Sequence, residues 1–210
     1  MTTVQPQQYS LRWIEPFSAT GSHVSLIPLE RDHELQLVEA VKDGNVWDTW
    51  YAAVPAPDGM RQEIEWRLGL AEDGIMVPFT VLDEHGRIVG MTSYMNVDAR
   101  NRRLEIGHTW YGKSVQRTAL NTETKLLLLK RAFEKHDCIA VGFRTAFFNM
   151  PSRRAIERLG AKFEGTWRNH LILPDGTLRD TCYYSVISNE WPAVKMNLIW
   201  LLGRTESRQA

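Results

Sequence analysis

WYGKSVQRTALNTE, Trp110 to Glu123, carries the chain out of a strand, through a polar loop and into the start of a helix. The first amides of a helix have no acceptor within it, and together with the helix dipole they form a ready site for phosphate. Here Gln116, Arg117 and Thr118 can add donors to the backbone of Ala119, Leu120 and Asn121. Any capped helix starts in the same way, so this junction alone leaves a phosphate cradle and a plain helix start both open.

The stretch that feeds the junction, Arg103 to Tyr111, has a strand's period of two. It sets Leu104, Ile106, His108 and Trp110 on one face and Glu105, Gly107 and Thr109 on the other. Before it, Ile75 to Leu82 and Ile88 to Val97 flank the turn Asp83-Glu84-His85-Gly86, the pattern of a hairpin. Earlier still, His23 to Leu29 reads as a strand. Asp32 is placed to cap a helix with an apolar stripe at Leu35, Val38 and Val41, closed by Gly44, and a second helix runs through Ile64, Trp66 and Leu70 to near Gly74. Between these helices lies an aromatic loop, Val46 to Tyr51.

Beyond the junction, about Leu120 to Lys135 reads as a helix capped by Asn121 or Thr122, with Glu123 in its first turn. Ile139 to Arg144 is a short strand, and Met150-Pro151-Ser152 opens a helix through Leu159 that Gly160 ends. Phe163 to Leu173 and Arg179 to Ile187 flank the turn Pro174-Asp175-Gly176, and a last helix begins near Asn189 with Pro192 in its first turn. The resulting order, β-α-α-β-β-β-α-β-α-β-β-α, favours an α/β fold with a mixed sheet covered by helices.

With 210 residues the chain fits a single domain, and 43% apolar with 24% charged residues gives it the composition of an ordered globular protein. Its 25 basic residues balance 25 acidic ones, which leaves no global field to gather nucleic acid or an anionic membrane. Two cysteines, Cys138 and Cys182, suit reduced thiols. Met1 to Ser10 lacks the basic start and apolar core of a signal peptide, and Leu198 to Leu202 is far shorter than the roughly 20 residues of a membrane span. A cytoplasmic protein is expected.

Gln116-x-x-Ala119-x-Asn121 resembles the Q/R-x-x-G-x-G/A pyrophosphate loop of GNAT acyltransferases, with Arg117 where the RimL branch commonly has glycine. Asn149-Met150-Pro151-Ser152-Arg153-Arg154-Ala155-Ile156-Glu157-Arg158-Leu159-Gly160-Ala161 is similar to the RimJ/RimL segment N-x-x-S-x-x-A-I-x-x-L-G-A/F. Glu164 to His170, Asp175 to Asp180 and Tyr184-Ser185 also resemble this branch. The resemblance covers about residues 20–192, leaving a C-terminal helix over about 190–203.

This resemblance implies a GNAT-type, mostly antiparallel sheet flanked by helices, with a strand that splays away to admit acyl-CoA. It implies an N-acetyltransferase that uses acetyl-CoA and no metal, and that acetylates a protein N-terminus or a small amine by direct attack in a ternary complex. Gln116, Arg117, Thr118, Ala119, Leu120 and Asn121 would hold the pyrophosphate, while Asn149 and Ser152 would bond the pantetheine arm or its thiol. Ile156 stands where many members carry an acidic tyrosine, which leaves Ser152 to stabilise the departing thiolate. Glu105 and His170 lead as general base; His108, three positions from Glu105, falls on the other face of a regular strand. The first two helices wall the acceptor pocket in this family, so Trp47, Trp50, Tyr51 and Trp66 either shape that pocket or pack the helices. A catalytically silent acyl-CoA sensor is the competing reading. The apolar last helix, with Trp191, Val194, Leu198, Trp200 and Leu201, fits either a homodimer or packing on its own sheet.

Overall fold

The computed structural model describes residues 13–51 and 54–209, with side chains as far as Arg204; the expectation for Met1 to Ser10 lies outside the described residues. The elements follow the order expected from the hydropathy pattern. A two-residue strand β1 (Ala19–Thr20) precedes β2 (Val24–Pro28), the helices α1 (Glu34–Lys42) and α2 (Met60–Glu72), and the strands β3 (Val77–Asp83), β4 (Ile88–Asp98) and β5 (Arg103–Tyr111). Then come α3 (Ala119–Glu134), β6 (Ala140–Ala146), α4 (Met150–Leu159), β7 (Lys162–Ile172), β8 (Leu178–Ile187) and α5 (Trp191–Gln209). Among the described residues the strands form one open sheet in the order β1-β2-β3-β4-β5-β6-β8-β7. Every neighbouring pair is antiparallel except β5 and β6.

Each face of the sheet buries its own core, as a two-sided α/β layer must. On one face Leu26, Phe79, Leu104, Ile106 and Tyr184 pack against Leu128, Leu129 and Phe133 of α3, Ile156 and Leu159 of α4, and Trp191, Val194 and Leu198 of α5. On the other, Met91 and Trp110 pack against Leu37 and Val41 of α1 and Met60 and Ile64 of α2.

Four expectations about these helices need correction. In α1 the buried stripe is Leu37, Ala40 and Val41, whereas Leu35 is 79% exposed. Asp32 lies within a preceding 3-10 turn that Glu30 opens with a capping box, so it does not cap α1. In α2 the inward residue of the middle turn is Arg67, fully buried, and Trp66 faces away from that core. Its neighbours explain the inversion: Arg67 forms an ion pair with Glu63 at 2.8 Å and donates to Ser93 Oγ at 3.2 Å and to the His108 carbonyl at 3.0 Å. A fully partnered guanidinium can be buried where hydropathy alone puts a tryptophan. Finally, α3 is capped by Thr118, whose hydroxyl accepts from the Leu120 amide at 3.3 Å, so Asn121 and Thr122 lie inside the first turn.

The largest correction concerns β5. Met91 pairs with Trp110 and Ser93 with Gly107, so Thr92 alone faces both His108 and Thr109. This is a β-bulge, and His108 takes a left-handed φ of 47°. The extra residue reverses the alternation beyond it. Leu104 and Ile106 stay in the α3 core, Thr109 now bonds Lys125 of α3, and Trp110 enters the α1–α2 core.

Candidate functional site

Strands β5 and β6 pair in parallel only over Arg103–Glu105 and Ala140–Gly142. Beyond those residues β5 continues to Tyr111 beside β4, and β6 continues to Ala146 beside β8. The two strands therefore part into a V with Glu105 and Gly142 at its apex. Adjacent strand edges that no longer pair expose amides and carbonyls to whatever enters between them. The helices that follow these strands, α3 and α4, open beyond the two arms.

Glu105 is 7% exposed and forms an ion pair with Arg144 of β6. The Arg144 guanidinium also lies 4.7 Å from the Trp167 ring centroid, and Trp167 stacks on Tyr183 with centroids 5.4 Å apart and planes 10° from parallel. Gly142 makes room for this arrangement: a Cβ there would collide with the Tyr183 hydroxyl and the Glu105 side chain. Burial, followed by the nearby Glu105 carboxylate, raises the Tyr183 phenol above its usual pKa. His170 is held by a 3.0 Å contact between Nδ1 and Thr181 Oγ1 and meets Trp167 edge-on. Glu105, Arg144, Tyr183, Trp167 and His170 thus form one connected cluster on the α1–α2 side of the sheet.

The bulge adds His108 to that side, against the expectation that Glu105 and His108 face apart. Its ring lies 5.0 Å from Trp66 of α2. Burial, followed by Arg67 and then Arg179, pushes the His108 pKa down to about 4, so the imidazole is neutral at ordinary pH. Burial also lowers His170, with Arg144 and Arg179 adding to the effect. Of the aromatic residues singled out in the sequence, Trp47 packs on the α1–α2 core, whereas Trp50 meets Phe148 beyond the end of β6, with centroids 5.5 Å apart.

At the start of α3, Arg117 adopts a left-handed φ of 63°. That conformation favours glycine, which accounts for the residue type common at this place in the resembling loops. Thr118 is extended, and its hydroxyl donates to the Val115 carbonyl at 2.7 Å, turning the chain into the helix. Ala119, Leu120 and Asn121 follow as the first helical residues, whose amides have no intrahelical acceptor. Gln116 is engaged with the protein itself: Nε2 donates to the Tyr111 carbonyl at 3.0 Å. At α4, Asn149 Oδ1 accepts from the Ser152 amide at 3.1 Å, making Asn149 the N-cap and Ser152 a first-turn residue. Ile156 is buried in the α3–α5 core.

An open mixed sheet with one parted parallel pair and a helix start beyond each arm is a strong architectural signature, and the comparisons agree with it. Residues 23–162 match the family described as acetyltransferase (GNAT) domain. The chain belongs to the GNAT acetyltransferase family. It is 34% identical over 110 residues to a curated protein named "Putative ribosomal N-acetyltransferase YdaF" from Bacillus subtilis (strain 168), a match that spans 52% of this chain and 59% of that relative. Among solved structures, a GCN5-related N-acetyltransferase from Brucella melitensis is 32% identical with a TM-score of 0.79, covering 90% of this chain and 86% of that one. Mycobacterium smegmatis RimJ, solved in complex with CoA-disulfide, shares the fold with a TM-score of 0.71 at 21% identity, over 85% of this chain and 88% of its own. As a GNAT domain, the α/β sheet with its splayed pair is the expected architecture.

Sequence reasoning missed Arg67, Arg144, Tyr183 and Arg179 as parts of this site. Each is a polar or aromatic residue in an ordinary strand or helix pattern, and only the parting of β5 from β6 and the bulge at His108 bring them together.

Proposed function

We propose that this chain is an acetyl-CoA-dependent N-acetyltransferase that acts on a primary amine, either a protein N-terminus or a small amine. Bound acetyl-CoA would supply an acyl thioester, activated for attack by an amine with release of a thiol. The observation that carries this reading is the V between β5 and β6, which fits a narrow, extended pantetheine arm with the α3 start beyond its mouth to receive phosphate. The amides of Arg117 to Asn121, apart from that of Leu120, which donates to the Thr118 hydroxyl, would hold the pyrophosphate, with the exposed Arg117 guanidinium adding charge. Asn149 has its Oδ1 committed to the Ser152 amide, which leaves its Nδ2 as a donor towards the pantetheine amides.

The acceptor would enter from the α1–α2 side, where Glu105, His108, Tyr183 and His170 converge. Direct attack requires the amine to lose one proton and the departing thiolate to gain one. Glu105, at the apex of the V, is the proposed proton acceptor, directly or through one water, and Arg144 orients its carboxylate. His108 and His170 are both lowered in pKa and serve better as neutral hydrogen-bonding groups. Ser152 is the proposed partner of the leaving thiolate, because Ile156 is packed in the core and carries no proton. That same Ile156 is the observation behind the second reading, an acyl-CoA sensor without turnover.

A panel of primary amines, including peptides with free N-termini, separates the two. Amine-dependent release of free CoA thiol supports transfer, and binding of acetyl-CoA with no release from any amine supports the sensor. We also propose that the chain forms a homodimer through α5. Trp191, Val194 and Leu198 of that helix are committed to the core, but Met196, Ile199 and Trp200 remain 64%, 44% and 56% exposed. Among the described residues no helix is long and apolar enough to cross a membrane, and a cytoplasmic setting is proposed.

A further inference from the structure

Arg67, Arg144 and Arg179 lie on the acceptor side of the V, and their charges are not equally balanced. Arg67 is paired with Glu63 and Arg144 with Glu105. Arg179 of β8 has no carboxylate within ion-pairing distance among the described residues, and its Nε is buried without a hydrogen-bond partner. Nearby Asp180 is occupied elsewhere, accepting from the Asn169 amide at 2.7 Å and lying 3.7 Å from Arg168.

Strand register fixes where Arg179 points. Thr181 bonds His170 and Tyr183 stacks on Trp167, so the odd-numbered residues of β8 face the acceptor side, while Cys182, Tyr184 and Val186 face the α3 core. Arg179 follows Tyr183 and Thr181 along β8 away from the apex, past an irregularity in which β7 places three residues, Arg168 to His170, opposite Asp180 alone. The β6–β8 ladder ends at Ala146 and Thr181, with one further bond from the Phe147 amide to the Asp180 carbonyl at 3.0 Å, so Arg179 lies just past the last backbone bond between the two segments. Its charge is felt by both His108 on β5 and His170 on β7, which sets it on the same side of the sheet as those two imidazoles.

A partly buried guanidinium with an unpartnered donor is costly unless a ligand satisfies it. We infer that Arg179 is an anion-binding subsite of the acceptor cleft, so that the preferred acceptor is a primary amine carrying a carboxylate or phosphate group close to the amine. The neighbouring imidazoles can add a neutral hydrogen bond to the same anion. This inference rests on the acetyltransferase reading and narrows its substrate class.

Three matched pairs of acceptors test it: a free amino acid against its amide, a short peptide with Asp as its second residue against the same peptide with Asn, and phosphoethanolamine against ethanolamine. With the wild-type chain, at least one charged member should exceed its neutral partner by roughly tenfold or more in kcat/KM, the value of one charge-assisted hydrogen bond. The pair that shows the preference identifies the source of the anion. In Arg179→Gln the preference should collapse to within about twofold through loss on the charged acceptor, and Arg179→Lys should restore part of it. Turnover without charge preference in all three pairs, or a preference that survives in folded Arg179→Gln, overturns the subsite but leaves the acetyltransferase reading intact. No thiol release with any amine overturns both.

Discussion

Lys125 Nζ lies 3.0 Å from the Thr109 hydroxyl, which in turn lies 2.7 Å from Thr92 Oγ1. A buried amine of α3 is thereby tied to the second residue of the bulge, and through it to the one β4 residue opposite the bulge. Next to this linkage, His108 and Trp110 face the α1–α2 side of the sheet. Burial lowers the Lys125 pKa to about 7. The sign of the consequence follows from proton counting: between about pH 7 and the unfolded value near 10.4, the unfolded chain binds more protons at this site, so stability rises with pH across that window and the rise ceases below it. Lys125→Met should remove that slope, with a wild-type-minus-variant difference in unfolding free energy of at most about 1.4 kcal/mol per pH unit. Urea denaturation of both proteins at pH 7, 8 and 9 measures it, and parallel pH dependences would contradict the buried-amine account.

Arg117 pairs a left-handed backbone with an exposed side chain. Arg117→Gly should therefore leave the fold as stable or make it more stable by up to about 1 kcal/mol, whereas Arg117→Ala keeps the strained backbone and gains nothing. If the guanidinium contributes to phosphate binding, both variants should bind CoA more weakly to a similar extent. Thermal unfolding and calorimetry on the two variants separate backbone from charge, and a loss of affinity in Gly alone would assign the effect to loop flexibility.

Glu105 has two roles to distinguish, proton acceptor and partner of Arg144. Glu105→Gln keeps the shape but weakens the ion pair, so some loss of thermal stability is expected either way. As the base, its replacement should lower kcat by roughly 10²–10⁴-fold with a much smaller change in KM. An unchanged kcat with a lowered melting temperature would leave Glu105 as a structural partner of Arg144 only.

The outward face of α5 has to be tested by substitution, since deleting the helix from Trp191 would strip Trp191, Val194 and Leu198 from the core and unfold the chain. Ile199→Glu combined with Trp200→Glu should convert a dimer to a monomer in light scattering with the thermal midpoint of the monomer retained. A wild-type chain that is monomeric at all concentrations removes the dimer proposal.

The parts of this architecture that the sequence displays are those governed by local rules. Gly160, for example, ends α4 with a left-handed φ of 102°, and Pro151 sits in the first turn of the same helix. The β3–β4 hairpin and the β7–β8 hairpin follow from alternation around clear turns. What alternation could not show was its own interruption. Nothing in Glu105 to Trp110 marks the extra residue opposite Thr92, and plain alternation therefore puts His108 on the wrong face and Trp110 in the wrong core. Hydropathy likewise misassigned α2, because the burial of Arg67 depends on Glu63, Ser93 and the His108 carbonyl, partners contributed in part by distant strands. Arg144 and Arg179 belong to the candidate site only because β5 and β6 part, which no local pattern in the sequence marks.

In the proposed complex the start of α3, at the mouth of the V, holds the donor through its backbone amides, and Ala119→Pro probes this contact. Ala119 is the first helical residue, where proline is well tolerated, and Thr118 before it is extended with φ −99° and ψ −175°, the region that a following proline requires. The substitution therefore removes one amide donor without breaking the helix. In a calorimetric titration with acetyl-CoA, the wild-type chain should bind and the folded Ala119→Pro chain should bind at least roughly tenfold more weakly at a similar melting temperature. Equal affinity in the two folded proteins, or no binding by the wild type, would contradict it.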